Sequence, residues 1–246
     1  TEGINDKNIL KALFVVGVAA SGKSTLSTPL KFYAKHIDVD YPIEYYSEKY
    51  DLDLSKEGAV EGKRRAREIG KRITSEELIN YVEGMLPMVI NVVGDDIEKT
   101  KARIKMLRDF GYDVGLVYIN ADIEGALKRV AARRYGKTGD KHRHISPEHV
   151  YDSYRKLIMN AKHYQDMLFD RVQGNQELLD FYAQIKNDGI IDDETVTKVR
   201  KQAESFFSSP VKNQKGQEII KELKDKKKKT LTDIISKSDI IDRLRK

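Results

Sequence analysis

Residues Gly17-Val18-Ala19-Ala20-Ser21-Gly22-Lys23-Ser24 spell G-x-x-x-x-G-K-S directly after the apolar run Ala12-Leu13-Phe14-Val15-Val16. A glycine at each end lets the backbone curl until successive N–H groups point inward, and such a concavity holds phosphate oxygens. The motif also dictates a fold: a buried strand must enter the loop and a helix must leave it. The backbone of Gly17, Ala19, Ala20, Ser21 and Gly22 is therefore the expected cradle of a nucleoside triphosphate. Lys23 is expected to span the β- and γ-phosphates and Ser24 to offer its hydroxyl to Mg²⁺. Thr25 completes the set by capping or packing against the turn.

Apolar runs alternate with helical periodicity as far as about residue 172. That pattern predicts an α/β fold of three layers, with a mostly parallel five-stranded sheet between helices. Strands are expected near 12–16, 43–46, 88–93, 114–119 and 169–172. Asp95 or Asp96 can cap a helix that carries Ile97, Ile104 and Leu107 and stops at Gly111, and Asp122 can open another that stops at Gly136. Ser146-Pro147-Glu148 starts a third, with Val150, Tyr154, Leu157, Ile158 and Ala161 on its buried face. Pro29 falls inside the helix after the loop and should bend it.

The length of 246 residues fits one main domain with an appendage. The core is expected over 1–175. A helical extension over 176–210 carries two apolar stripes, Leu178, Leu179, Tyr182 and Ile185, then Val196, Val199, Ala203 and Phe206 or Phe207. A basic tail, partly helical or disordered, follows over 211–246. The chain has 45 Lys and Arg against 39 Asp and Glu, and residues 211–246 hold 12 against 6, so the tail alone accounts for the net charge of +6. A solvated tail is the expected reading, with a docking helix for a nucleic-acid or protein partner as the alternative. With no cysteine there is neither disulfide nor thiolate chemistry. No run approaches the roughly 20 apolar residues of a membrane span, so a soluble, cytoplasmic protein is expected.

The rest of the chain separates the classes that share this loop. No Asn-Lys-x-Asp guanine-reading motif is present, which argues against a GTPase. The third apolar run, Met88 to Val93, is followed by Gly94-Asp95-Asp96, and Asp95 is the expected carboxylate near the metal. Residues 128–146 hold Lys128, Arg129, Arg133, Arg134, Lys137, Lys141 and Arg143 against Asp140, with Gly136 and Gly139 as flexible points. This is the composition of a lid that closes over a transferring phosphoryl group. Arg129 is expected on the nucleotide, and Arg133 and Arg143 at the charge that grows in the transition state. In Tyr45-Tyr46-Ser47-Glu48-Lys49-Tyr50-Asp51, after the expected second strand, Glu48 is the candidate general base and Asp51 its reserve. Lys56, Lys63, Arg64, Arg65, Arg67, Lys71 and Arg72 then outnumber Glu57, Glu61 and Glu68 in a substrate-binding segment over about 48–84, which favours an acceptor bearing phosphate.

These residues resemble the zeta-toxin-like branch of P-loop kinases, and its bacteriophage-encoded members in particular. The resemblance spans about 9–175. Its carriers are Gly17 to Ser24, Ser47-Glu48-Lys49-Tyr50, Gly84-Met85-Leu86-Pro87 leading to Val93-Gly94-Asp95-Asp96, Leu107 to Tyr112, and Arg129, Arg133 and Arg143 before Ser146-Pro147-Glu148. It implies a P-loop kinase fold and an ATP- and Mg²⁺-dependent transfer to a hydroxyl, with an acidic residue after the second strand as base. The acceptors implied are nucleic acid, such as hydroxymethylated DNA, or UDP-N-acetylglucosamine, in the cytoplasm of an infected host cell for a phage member. Two departures, Glu48 where the family has Asp and Val93 where a Thr is common, also raise the alternative of a catalytically weakened nucleotide-binding module.

Overall fold

The computed structural model describes residues 9–50, 60–134, 145–172 and 179–225. The described elements run β1 (Lys11–Val16), α1 (Lys23–Ser27), a 3₁₀ turn (Thr28–Phe32), β2 (Lys35–Ile37), α2 (Asp40–Lys49), α3 (Val60–Glu83), β3 (Met88–Val92) and α4 (Ile97–Asp109). They continue with β4 (Asp113–Ala121), α5 (Ile123–Arg134), α6 (Pro147–Val172), β5 (Phe181–Asn187), α7 (Asp193–Ser208) and α8 (Gln214–Asp225). The five strands form one parallel sheet in the order β2-β3-β1-β4-β5. β1 lies at its centre with every residue buried, which explains the unbroken apolar run before the loop: a strand covered on both faces has no solvent side to alternate with.

Helices form where the sequence marks them. Asp96 caps α4 by accepting from Lys99 N–H at 3.0 Å. The Asp122 carboxylate accepts from Gly125 N–H at 2.7 Å at the opening of α5, and Ser146 Oγ accepts from His149 N–H at the start of α6. Asp192 likewise caps α7 through Thr195 N–H. Pro29 does more than bend the helix: α1 stops at Ser27 and a 3₁₀ turn takes over, because proline supplies no N–H for the α-helical ladder.

Two expected strands are corrected. Residues 43–46 lie inside α2, and the second strand is Lys35-His36-Ile37, which pairs with Met88 to Ile90 of β3. It is a three-residue edge strand of mixed polarity, too short to show as an apolar run. Residues 169–172 belong to α6, and the fifth strand is Phe181 to Asn187, paired with β4 from Gly115 to Ala121. The stripe at 178, 179, 182 and 185 read as a helix, whereas Ile185 and Asn187 turn inward with the period of two that a strand requires. The sheet therefore draws its last strand from within 176–210. On α6, Ile158 is exposed and not on the buried face.

At the end of the sheet away from the loop, Lys11 and Asp113 form a fully buried ion pair with Nζ to Oδ2 at 2.6 Å. The remaining valences are satisfied from the C-terminal side. Lys11 also donates to Ser209 Oγ and the Pro210 carbonyl, and Asp113 accepts from Lys212 N–H and Asn213 N–H. This pair fastens the segment before α8 to the strands β1 and β4. No helix of the described residues is long and apolar enough to cross a membrane.

Candidate nucleotide and phosphoryl-transfer site

The carboxyl ends of β1, β3 and β2 converge, and the loop Gly17 to Gly22 rises between them. Its path depends on left-handed backbone at Ala20 (φ 59°) and Gly22 (φ 99°). A Cβ on Gly17 would lie 2.4 Å from Ser21 Oγ and have to displace it, and one on Gly22 would meet Ile191 Cδ1 at 2.6 Å on left-handed backbone that a side chain strains. Gly17 N–H donates to the Val92 carbonyl, which ties the loop to the end of β3. Lys23 Nζ lies over the curl and donates to the carbonyls of Gly17 (2.6 Å) and Val18 (2.8 Å). Ser24 and Thr25 present exposed hydroxyl side chains at the opening of α1. Because α1 has only five residues, the loop's own amides dominate the cradle over any helix dipole.

The loop is braced from the β5 side. Asn187, at the end of that strand and buried, donates from Nδ2 to the Ser21 carbonyl at 2.6 Å and accepts from Gly189 N–H at 3.2 Å. Arg129 of α5 donates from Nε to the Ala20 carbonyl at 2.7 Å and from its guanidinium to the Gly189 carbonyl. Of the expected lid arginines, Arg129 is thus brought to the loop, where it holds backbone. Arg133 lies in the last turn of α5, and Arg143 lies outside the described residues, as does Asp51.

The carboxylates are distributed differently from the sequence expectation. Glu48 sits in the last turn of α2, exposed, and not at the end of a strand. The residue that does follow the second strand is Asp38. Its Oδ1 accepts from Asp40 N–H at 3.0 Å, which starts α2, and its Oδ2 accepts from Asn91 Nδ2 of β3 at 2.8 Å. Asn91 Nδ2 also lies 3.3 Å from Ser27 Oγ of α1, so a short polar chain joins Asp38 to the helix that begins at Lys23. Ile37-Asp38-Val39-Asp40 is the available signal for this carboxylate, masked because the expected second strand at 43–46 starts eight residues after the observed one at Lys35.

Asp95 follows β3 beyond Gly94 (φ 80°), whose missing Cβ would strike Val16 Cγ1 at 2.3 Å. With Asp96 engaged as the cap of α4, Asp95 is the carboxylate of that pair left at the strand ends. The Gly94 carbonyl accepts from Tyr164 OH at 3.0 Å and from Asn160 Nδ2, which also reaches the Asp95 carbonyl. Burial, with the nearby carboxylates of Asp95 and Asp96, pushes the Tyr164 phenol up to about 12, so it remains a donor at neutral pH.

These residues fit ATP and Mg²⁺. Ser21 Oγ and Asn91 Oδ1 are buried polar atoms with no hydrogen-bond partner among the described residues. The loop carries the Lys23 ammonium group over its curl, and the Ser24 hydroxyl and Asp95 carboxylate are hard oxygen donors of the kind that Mg²⁺ takes alongside phosphate and water.

The parallel sheet in this strand order, with a phosphate loop after β1 and helices on the sheet, defines the class as a P-loop kinase-like α/β protein. The family model described as "Zeta toxin" matches residues 5–184, and the chain belongs to that family. Among solved structures, a protein of Chloroflexus aurantiacus described as a kinase is similar at 15% identity and a TM-score of 0.52, covering 80% of this chain and 98% of the other. A structure from the PezAT chromosomal toxin-antitoxin system of Streptococcus pneumoniae is similar at 14% identity and a TM-score of 0.52, covering 92% and 90%. The AvrRxo1-ORF1:-ORF2 complex gives 16% identity and a TM-score of 0.51, covering 81% of this chain and 64% of that one. No curated protein sequence matches the chain. These likenesses establish the fold and agree with ATP-dependent phosphotransfer.

Proposed function

We propose that this chain is an ATP-dependent kinase that transfers the γ-phosphoryl group to a hydroxyl of a nucleic acid, such as hydroxymethylated DNA, or of a nucleotide-type acceptor. The observation that carries the reading is the Asp38 carboxylate at the end of β2, linked through Asn91 to the helix that follows the phosphate loop. Asp38 replaces Glu48 as general base. It takes the proton of the acceptor hydroxyl as the new O–P bond forms and the bond to ADP breaks. Lys23 moves from the loop carbonyls onto the β- and γ-phosphates, and loop amides beyond Gly17, whose own N–H is held by the Val92 carbonyl, keep the triphosphate in line. Ser24 and Asp95 would hold Mg²⁺, which when bound would neutralise phosphate charge. Arg133 and Arg143 belong to the lid that excludes water.

The exposed cations of α3 support a phosphate-bearing acceptor, and the family's bacteriophage-encoded members make a DNA-modifying role in an infected cell the leading version. A protein partner acting through the C-terminal tail is part of the same proposal, in keeping with a structural neighbour that comes from a toxin-antitoxin system. The Asp38 carboxylate after the second strand favours a kinase over the alternative of a catalytically weakened module, which Glu48 and Val93 motivate. Incubation with γ-labelled ATP and hydroxymethylated DNA, 5′-hydroxyl oligonucleotides, nucleosides and UDP-N-acetylglucosamine tests the reading. Label should appear in a nucleic-acid or nucleotide acceptor, and tight ATP binding with no transfer to any class would defeat it.

A further inference from the structure

We propose that the outward face of α2, together with Phe32, is a stacking platform for a single-stranded stretch of nucleic acid beside Asp38, and that the cations on the solvent face of α3 take the backbone of the same strand further along. The inference rests on the reading that the acceptor is of nucleic-acid type and names how it is held. Its starting point is where the described surface leaves aromatic rings exposed: Phe32 (88%), Tyr41 (47%), Tyr45 (60%) and Tyr50 (57%) all flank β2, and only Tyr151 is exposed elsewhere among the described residues. Packing does not demand these rings, since α2 is held to the body by Ile43 and Ser47, which are buried on its opposite side. Tyr41 and Tyr45 are four residues apart and share the outward face, with Lys49 continuing the row and Glu44 and Glu48 along one flank.

Cations accompany the rings. Lys31 Nζ lies 3.1 Å from Tyr41 OH and 5.1 Å from its ring centroid, and Lys49 Nζ lies 5.9 and 5.7 Å from the rings of Tyr45 and Tyr50. A base stacked on either ring would bring its phosphate to an ammonium group already in place. Further along, on the side of α2 opposite the rings, the next helix adds a charged rail. α3 packs on α2 through Ala66, which joins Ile43 and Val39 in a small buried cluster, and through Gly70, where a Cβ would come within 2.6 Å of Ile43 Cγ1. With Ala66 and Gly70 turned inward, Arg65, Arg67, Lys71 and Arg72 face solvent with no ion pair among the described residues, while Arg64 is engaged by Glu61 and Glu68.

This chemistry selects among occupants. Stacking needs bare base faces, which a duplex hides and a single strand offers. Cations spread from Arg65 to Arg72, about 10 Å along a helix at 1.5 Å per residue, match a repeating phosphate backbone better than the paired phosphates of one nucleotide sugar. Exposed tyrosine and arginine also serve protein interfaces, so failure of the single strand to bind is the outcome that leaves this patch to a protein.

The test is fluorescence anisotropy of the full chain with a labelled mixed-sequence single strand of about 20 nucleotides and the matching duplex, without ATP and across a salt series. The single strand should bind more tightly than the duplex. Tyr41→Ala and Tyr45→Ala should each weaken it by about fivefold or more, while Tyr41→Phe and Tyr45→Phe, which keep the stacking face and control for folding, should retain it. Neutralising Arg65, Arg67, Lys71 and Arg72 to Gln should flatten the salt slope by roughly 0.7 per lost phosphate contact. No binding of the single strand, preference for the duplex, or indifference to the alanine changes overturns the platform. Phosphoryl transfer is read in parallel. Transfer to a nucleoside or UDP-sugar without oligonucleotide binding removes the platform and leaves the kinase reading intact, whereas ring-dependent binding with no transfer supports the platform and removes that reading.

Discussion

Asn187 offers a quantitative probe of how the phosphate loop is held. It is 3% exposed, and its Nδ2 donates to the Ser21 carbonyl over 2.6 Å while Oδ1 accepts from Gly189 N–H. Asn187→Ala removes both contacts. Ser21 is itself fully buried, so its carbonyl loses a partner in a place water does not reach, at a cost of about 1–3 kcal/mol. That cost falls on the conformation that binds phosphate, with left-handed Ala20 and Gly22 on either side of the unsupported carbonyl. If roughly 1–2 kcal/mol appears in binding, the Kd for Mg-ATP rises about five- to thirtyfold, since 1.4 kcal/mol is a factor of ten. Isothermal calorimetry measures the affinity, and urea unfolding measures the accompanying loss of stability. Asn187→Asp should bind ATP more weakly still, because a carboxylate then faces a carbonyl oxygen and lies near the triphosphate. If Asn187→Ala held ATP within about twofold of the parent, while Lys23→Ala abolished binding, the bracing argument would be wrong.

Three further outcomes follow from the fold. Gly94→Ala forces a side chain into left-handed backbone and to within 2.3 Å of Val16 Cγ1 and 2.8 Å of Leu157 Cδ1; it should cost about 2–5 kcal/mol and lower the melting temperature by more than about 5 °C, and an unchanged melt would refute the close packing beneath Asp95. Asp113→Ala strands the Lys11 ammonium in a fully buried site and frees two backbone N–H groups; urea titration should show a loss of about 3–5 kcal/mol, and a loss under 1 kcal/mol would contradict the latch. Burial, with Lys31 adding to it, lowers the pKa of His36 below its ordinary 6.5. The folded state therefore resists the proton that the unfolded chain accepts. Stability is fully present above about pH 6.5 and is lost as pH falls through that value toward the folded pKa; His36→Gln should flatten this decline, and an equally steep decline in the variant would assign it to other groups.

What the sequence made legible divides along the sheet. The centre was readable because β1, β3 and β4 are buried on both faces and advertise themselves as apolar runs, and because Asp96, Asp122 and Ser146 mark helix starts whose cap bonds form as expected. The edges were not. β2 has three residues and begins with an exposed lysine, while β5 carries Gln184 and Lys186 outward and the polar Asn187 inward. Edge strands of this kind lack the hydrophobic signal on which periodicity depends. Both differences bear on the site. With the second strand at Lys35–Ile37 and not at 43–46, the carboxylate that follows it is Asp38 and not Glu48, and with the fifth at Phe181–Asn187 and not at 169–172, Asn187 stands behind the loop. The phosphate loop needed no tertiary information, since G-x-x-x-x-G-K-S encodes its own backbone geometry in consecutive residues. The role of Arg129 did need it, because its partners at Ala20 and Gly189 lie 109 and 60 residues away.

The most direct measurement is the initial rate of phosphoryl transfer by Asp38→Asn and Glu48→Gln, with the best acceptor and saturating Mg-ATP. Asp38→Asn keeps the shape of the turn and removes the proton acceptor, so its rate should fall about 10²- to 10⁴-fold with ATP affinity little changed. Glu48→Gln should remain within about threefold of the parent. A fully active Asp38→Asn enzyme, or a collapse confined to Glu48→Gln, would contradict the account.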